Sequence, residues 1–280
     1  MKLLLLLLLL WSVACKEQSP ATTSQRVVSL SPNTTEAMFA IGAGDRLVGR
    51  SSHCDFPPEA QKLPSVGDYA NPNIEAILAL EPHLVIGEQG PAGPALADQL
   101  RGHEIETFFP PSDSIADVTA LLRDLGRRFG VADKADKVAT EMNARVARIA
   151  AWAKTKKTRS VVVVFDVSPI FVAGPGSFPD ELVRLAGGKN LVDRGGKWPT
   201  LDVERVLTLD PDVLVDGVVM QGKTTQRSRL LDVAGFSELR AVKEGRVRRL
   251  RNDAPLRPGP RIGDGLREMA RAIHGEEPPE

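Results

Sequence analysis

The chain has 280 residues, with 36 Lys and Arg against 36 Asp and Glu, a formal net charge of zero at pH 7. Neutrality argues against nucleic-acid binding or another polyanion partner, while the length accommodates two lobes with separate cores. The only cysteines are Cys15 and Cys54, so no disulfide framework is expected.

Residues 1–14 read as a secretory signal: one positive charge at Lys2, then an apolar run shorter than the roughly 20 residues a membrane span requires. The run ends in "SVAC", which resembles a bacterial lipobox. That resemblance makes Cys15 the lipidation site and 15–25 a polar tether. One acyl chain binds a membrane marginally, so several would be needed for stable anchoring.

From Arg26, "RVVSL" is short and β-branched and reads as a first strand. Asn33 and Glu36 have the spacing of a capping box, opening a helix that stops at Gly42 and Gly44. "RLVG" and "HLVI" read as strands with "NIEAILAL" as a helix between them, and "EIETFF" as another strand. This alternation predicts an α/β lobe with a largely parallel sheet over 26–131.

Residues 114–129 form one expected helix and 132–156 a second, with Gly130 interrupting them. In the second, Val138, Met142, Val146, Ile149 and Ala153 make one apolar stripe. At ~1.5 Å per residue it is a rod of roughly 33 Å, joining the first lobe to a second over 157–275. That lobe restarts with the buried-strand pattern "RSVVVVF". "FVAG", a helix near 177–186, and a final helix over 260–274 follow. "RVRRLR" suits a solvated edge strand, and the tail "GEEPPE" is expected to fray.

One segment occurs twice. "GDYANPNIEAILALEPHLVIGE" from Gly67 lies over "GKWPTLDVERVLTLDPDVLVDG" from Gly196. Tyr69 meets Trp198, Glu75 meets Glu204, and Pro82 meets Pro211. The period exceeds the roughly 20–50 residues of solenoid repeats, so each half carries one copy. Each glutamate opens a helix, where the dipole favours a carboxylate and no partner is needed. A matched pair, one per lobe, points further, to a shared role. Tyr69 is the only tyrosine, and Trp198 the only tryptophan outside the signal and the rod. At matched positions they can face each other across a cleft and hold a large flat ligand. His53 could contact that ligand or ligate a metal, or serve only as a loop hydrogen bonder.

No enzyme is expected. Gly-x-Ser-x-Gly and His-Glu-x-x-His are absent from the sequence, and Cys54 lacks a nearby base. "GAGDRL" follows a helix instead of opening one, so it is no dinucleotide fingerprint. His53, His83, His103 and His274 are scattered, so no metal site is expected.

The signal, the repeat and the rod join the segments "SPNTTE", "SSHCDFPPEAQKLPSVGDY", "NIEAILALEPHLVI", "AGGKNL", "WPTLDVERVL" and "NDAPLRPGPRI". Together they resemble the helical-backbone (class III) substrate-binding lipoproteins of ABC importers, nearest the cobalamin-binding members. The resemblance implies two Rossmann-like lobes with mainly parallel sheets joined by one long rigid backbone helix. It implies a monomer, exported and lipid-anchored in the periplasm or on the outer face of the cell membrane. Its partners would be an ABC permease dimer with ATPase subunits, whose arginines Glu75 and Glu204 would engage. The ligand would lie between the lobes against Tyr69, Phe171 and Trp198. His53 stands where relatives have a tyrosine, and Asp253 and Arg257 match a polar pair that hydrogen-bonds ligand side chains. Glu88 replaces an aromatic that cobalamin binders can have, which weakens the corrinoid reading.

A corrinoid, cobalamin, is the implied ligand, with haem and ferric siderophores as alternatives. For haem, Tyr69 or His53 would supply the axial donor and Arg257 the charge for propionates, although Tyr69 lies one position from the haem-binding tyrosine. No intrinsic cofactor is expected, because cobalt or iron would arrive inside the ligand.

Overall fold

The computed structural model describes residues 25–68, 71–89, 93–217 and 228–280. The expected signal, Cys15 with nearly all of the tether, and Tyr69 lie outside the described residues. Among the described residues, no helix is long and apolar enough to cross a membrane.

The N-terminal lobe is built on β1 (Val27–Ser29), β2 (Leu47–Arg50), β3 (Leu84–Ile86) and β4 (Glu106–Phe108). They pair in the order β2-β1-β3-β4, all parallel. Strands β1 and β3 are fully buried, as continuous apolar runs covered on both faces should be. Helices α1 (Pro32–Ala40), α2 (Ile74–Leu78) and α3 (Gly93–Arg101) connect them. The sequence reading did not name α3, which buries Leu96 and Leu100.

The expected capping box at Asn33 and Glu36 does not form. Pro32 occupies the first turn of α1, where its missing N–H costs nothing, so the helix begins earlier than expected. Asn33 Oδ1 accepts from Ser31 Oγ and Thr34 N, each at 2.7 Å. Glu36 points away from the cap, to arginines of the other lobe.

Two long helices follow. Ser114 caps α4 (Ile115–Arg128) by accepting from Asp117 N at 3.1 Å. After a turn with Gly130 at φ +70°, α5 (Ala132–Ala153) runs for 22 residues, ending slightly short of the expected 156.

The C-terminal lobe carries β5 (Arg159–Val167), β6 (Ile170–Val172), β7 (Gly188–Asn190), β8 (Thr200–Leu201), β9 (Val213–Asp216) and β10 (Val247–Arg249). The order is β10-β9-β5-β6-β8, with β7 also on β5. Strands β7 and β9 run parallel to β5, and β10 parallel to β9. Strand β6 is antiparallel to both β5 and β8, so this sheet is mixed. Helices α6 (Phe178–Leu185), α7 (Val203–Leu209), α8 (Arg240–Lys243) and α9 (Ile262–His274) complete the lobe. Strand β10, with its arginines, is an edge as expected.

The sequence repeat is a structural one. Gly67 and Gly196 both have positive φ, +99° and +82°. Asn73 caps α2 by accepting from Ala76 N at 3.0 Å, and Asp202 caps α7 by accepting from Arg205 N at 2.7 Å. The helices are followed by left-handed Glu81 and Asp210, at φ 45° and 39°. The chain then enters β3 and β9.

The lobes do not have wholly separate cores. One apolar cluster runs from Val27, Met38 and Leu84 through α4 and α5 to Val161, Val163, Leu182 and Leu266. The outer faces are separate: Val28, Val85 and Ile77 in one lobe, Val162, Val164, Leu214 and Phe236 in the other. The division follows strand alternation. In β1 and β5, one residue faces the shared helical layer and the next faces its own lobe. Helix α5 is therefore a packed girder, not a free rod. It buries Ala135, Ala139, Met142, Val146, Ile149 and Ala153. The tail is tied back instead of frayed: Lys156 reaches Glu276 at 2.5 Å and Arg251 reaches Glu277 at 2.8 Å.

Candidate ligand cleft and docking face

Three rings gather at one end of the C-terminal sheet. Phe165 lies in β5, Phe171 in β6, and Trp198 in the loop before β8. Phe171 and Trp198 stack with planes at 19° and centroids at 6.0 Å, and Phe165 lies 5.6 Å from Trp198 and 6.0 Å from Phe171. The loop holding Trp198 is fastened to the sheet: Gly174 N donates to Lys197 O at 2.8 Å, and Val172 N to Pro199 O at 3.1 Å. Gly174 permits this approach, because a Cβ there would collide with the Gly196 carbonyl oxygen. Trp198 nevertheless keeps 45% of its surface exposed. A rigidly mounted, open indole backed by two rings is a platform for a flat apolar surface. Phe165 was missed because it closes a run that reads only as buried strand.

The platform adjoins the lobe boundary. Lys197 Nζ meets Asp113 Oδ2 of the N-terminal lobe's trailing segment at 2.5 Å, and Ile115 N donates to Glu181 Oε2 across the same boundary at 2.8 Å. Glu88 follows β3 at the C-terminal end of a parallel sheet, where open α/β sheets place ligand sites. Burial, reinforced by the charge of Asp113, pushes its carboxyl up to about 7. It is half-buried, so it meets protein on most sides yet still touches solvent. His53 is exposed, with Nε2 at 3.9 Å from Asp68 Oδ2. Cys54 is buried, and burial pushes its thiol up, despite the hydrogen bond from Ser51.

Asp253 and Arg257 form an ion pair at 2.7 Å, as part of a larger network that crosses the lobes. Arg257 also reaches Asp55 at 2.6 Å and Glu36 at 3.4 Å. Arg261 grips Glu36 with two hydrogen bonds, 2.8 and 2.7 Å, touches Asp253 at 3.2 Å, and lies 4.1 Å over the exposed Phe56 ring. The side chains of Glu36, Arg257 and Arg261 are 1%, 12% and 18% exposed. Burial alone would lower the Arg257 guanidinium. Asp55, Asp253 and Glu36 carry it above its usual value instead. Burial likewise opposes ionisation of Asp55, and Arg257 overcomes it, holding the carboxyl below the usual range. Glu36, Asp55 and Arg261 escaped the sequence reading; a lone glutamate on the buried side of an apolar helix was the available signal.

Glu75 and Glu204 occupy the first turns of α2 and α7. Both are exposed, and no carboxylate partner is found for either among the described residues. A separate hollow of about 290 Å³, walled by Asp193, Pro199, Leu201, Asp202 and Arg205, lies behind the Trp198 loop. It falls below the ~300–1,000 Å³ of ordinary ligand pockets. Among the described residues, no three His, Cys, Asp or Glu side chains converge on a metal position.

The family model described as periplasmic binding protein matches residues 27–254. Over 258 residues the chain is 30% identical to an ABC transporter substrate-binding lipoprotein of Bacillus subtilis (strain 168), covering 89% of this chain and 80% of that one. It is 30% identical over 238 residues to the vitamin B12-binding protein of Photorhabdus laumondii, covering 85% of this chain and 83% of that one. The apo structure of a periplasmic haem-binding protein from Roseiflexus sp. RS-1 superposes with a TM-score of 0.79 at 28% identity, covering 90% of this chain and 98% of that one. The two α/β lobes with their mainly parallel sheets, the α5 girder and these matches lead to one conclusion: the chain belongs to the periplasmic binding protein family, the solute-binding, non-enzymatic components that serve ABC importers.

Proposed function

We propose that the chain captures a corrinoid, cobalamin, between its lobes and delivers it to an ABC permease dimer driven by ATPase subunits. The observation that carries this reading is the open Trp198 ring, stacked on Phe171 at the lobe boundary. It offers a flat, preorganised surface for one face of a macrocycle. Support comes from the vitamin B12-binding relative at 30% identity. Haem is the second reading, favoured by the haem-binding neighbour with a TM-score of 0.79, and a ferric siderophore is the third. Glu75 and Glu204, exposed on matched helices and with no carboxylate partner among the described residues, serve as docking residues. A lipid on Cys15 holds the protein, a monomer, at the membrane.

Calorimetric titration with cyanocobalamin, haemin and a ferric siderophore tests the cargo. One-to-one binding of cyanocobalamin, tighter than either iron ligand, is expected. Binding of haemin or the siderophore without cyanocobalamin replaces the corrinoid reading with that ligand.

A further inference from the structure

Among the described residues, several cations at the lobe boundary are already held by carboxylates. Lys197 is held by Asp113 at 2.5 Å. Arg257 and Arg261 are enclosed by Glu36, Asp55 and Asp253. Arg229 lies 4.0 Å from Asp166, the residue after Phe165. Arg50, at the end of β2, donates to the carbonyls of Ser51, Ser52 and Gln61. The carboxylates Glu36, Asp55, Asp253 and Asp113 thus outnumber Arg257, Arg261 and Lys197, and Glu88 adds another carboxyl to the same boundary. An anionic ligand that drew on Arg257, Arg261 or Lys197 would have to displace a carboxylate from it.

We infer that Glu88 is a specificity-determining residue that meets the ligand as a neutral hydrogen-bond donor, so the cleft selects an uncharged, amide-bearing macrocycle over one bearing carboxylates. This rests on the corrinoid reading and deepens it. It also gives a role to the glutamate that stands where cobalamin binders can have an aromatic.

The surroundings of Glu88 favour its neutral form. No hydrogen-bond or ion-pair partner is found for its carboxyl among the described residues. Gly87, just before it, is close-packed on Leu30 and Phe109. The charged group facing it is Asp113, on the segment leading into α4, with Lys197 beyond in contact with that aspartate. A carboxyl beside a like charge in a half-dry setting favours its protonated form, and a protonated carboxyl donates one O–H. Amide carbonyls accept that bond without adding charge, whereas a ligand carboxylate would place a second negative charge beside Asp113.

The test uses the full chain and Glu88→Gln, whose amide keeps a donor and cannot ionise. Cyanocobalamin, with its neutral amide side chains, and haemin, with two propionates, are titrated calorimetrically between pH 6 and pH 8.5. Above about 7, where Glu88 is mostly deprotonated, the wild-type Kd for cyanocobalamin rises, approaching tenfold per pH unit. E88Q keeps its affinity across the range, and haemin binds at least about tenfold more weakly than cyanocobalamin at every pH. Unfolding without ligand gives an independent reading of Glu88. Its folded value, about 7, exceeds the ordinary 4.5, so the folded state holds the extra proton and stability falls as pH rises through that window. The Tm advantage of E88Q over wild type therefore grows between pH 5 and pH 8.

A flat wild-type affinity, or the same slope in E88Q, overturns the inference and leaves the corrinoid receptor standing. Haemin binding tighter than cyanocobalamin overturns both. Cyanocobalamin that fails to bind at any pH overturns the cargo reading. In that case a Tm difference that does not change with pH also removes the neutral Glu88.

Discussion

Arg261→Ala is expected to destabilise the chain by about 3–5 kcal/mol, the usual result of removing one partner of a buried ion pair. The Glu36 side chain is 1% exposed and takes two hydrogen bonds from Arg261. Without the guanidinium, its charge stays buried with only the 3.4 Å contact to Arg257. For a chain of this size the loss corresponds to a fall in Tm of about 10 °C. Thermal unfolding checks it, and Glu36→Met combined with Arg261→Met isolates the pair. The double variant is expected to recover much of the loss, because an apolar replacement leaves no charge uncompensated. A loss below about 1 kcal/mol in Arg261→Ala would show that water reaches the site and that the pair is not what ties the lobes. The network matters to function because it joins α1 of one lobe to the segment before α9 of the other. With the apolar cluster that crosses α4 and α5, it ties the two lobes into one packed body, so only small lobe movements are expected.

Glu75→Ala with Glu204→Ala is expected to reduce uptake by at least about tenfold in vesicles carrying the cognate permease and ATPase. Charges at the rim of an interface govern encounter and alignment more than buried affinity, and two carboxylates held apart on one rigid body set that alignment. Each single variant retains part of the activity, because the other lobe still docks. Ligand affinity and Tm stay unchanged in both, since each side chain is exposed and its carboxylate is unpaired among the described residues. Normal uptake by the double variant would remove the docking role from this pair.

The features legible in the sequence were those encoded locally. The doubled segment announced two halves, and the structure repeats it down to the paired caps Asn73 and Asp202 and the left-handed Glu81 and Asp210. Helix α5 was visible in its stripe of apolar residues. What escaped depends on residues far apart in the chain. Glu36 and Arg261 are separated by 225 positions, and the letters around Glu36 also fit a capping box. Only the packed fold decides between the two uses. The shared core was hidden for a related reason: a period-two strand pattern shows that Val161 and Val162 face opposite ways, not which face meets the other lobe. Phe165 completes the ring cluster only because β6 pairs antiparallel with β5 and brings Phe171 beside it. Tyr69, matched to Trp198 by the repeat, lies outside the described residues.

The most direct test of the account is the affinity of Trp198→Ala for cyanocobalamin, measured by calorimetry beside the wild type. The ring is 45% exposed, so its removal leaves folding nearly intact. Loss of an aromatic face from a ligand is expected to weaken binding about tenfold to a hundredfold, with one-to-one stoichiometry and Tm preserved. An unchanged affinity would place the ligand somewhere other than on the Trp198 platform, and the proposed capture surface would have to be abandoned.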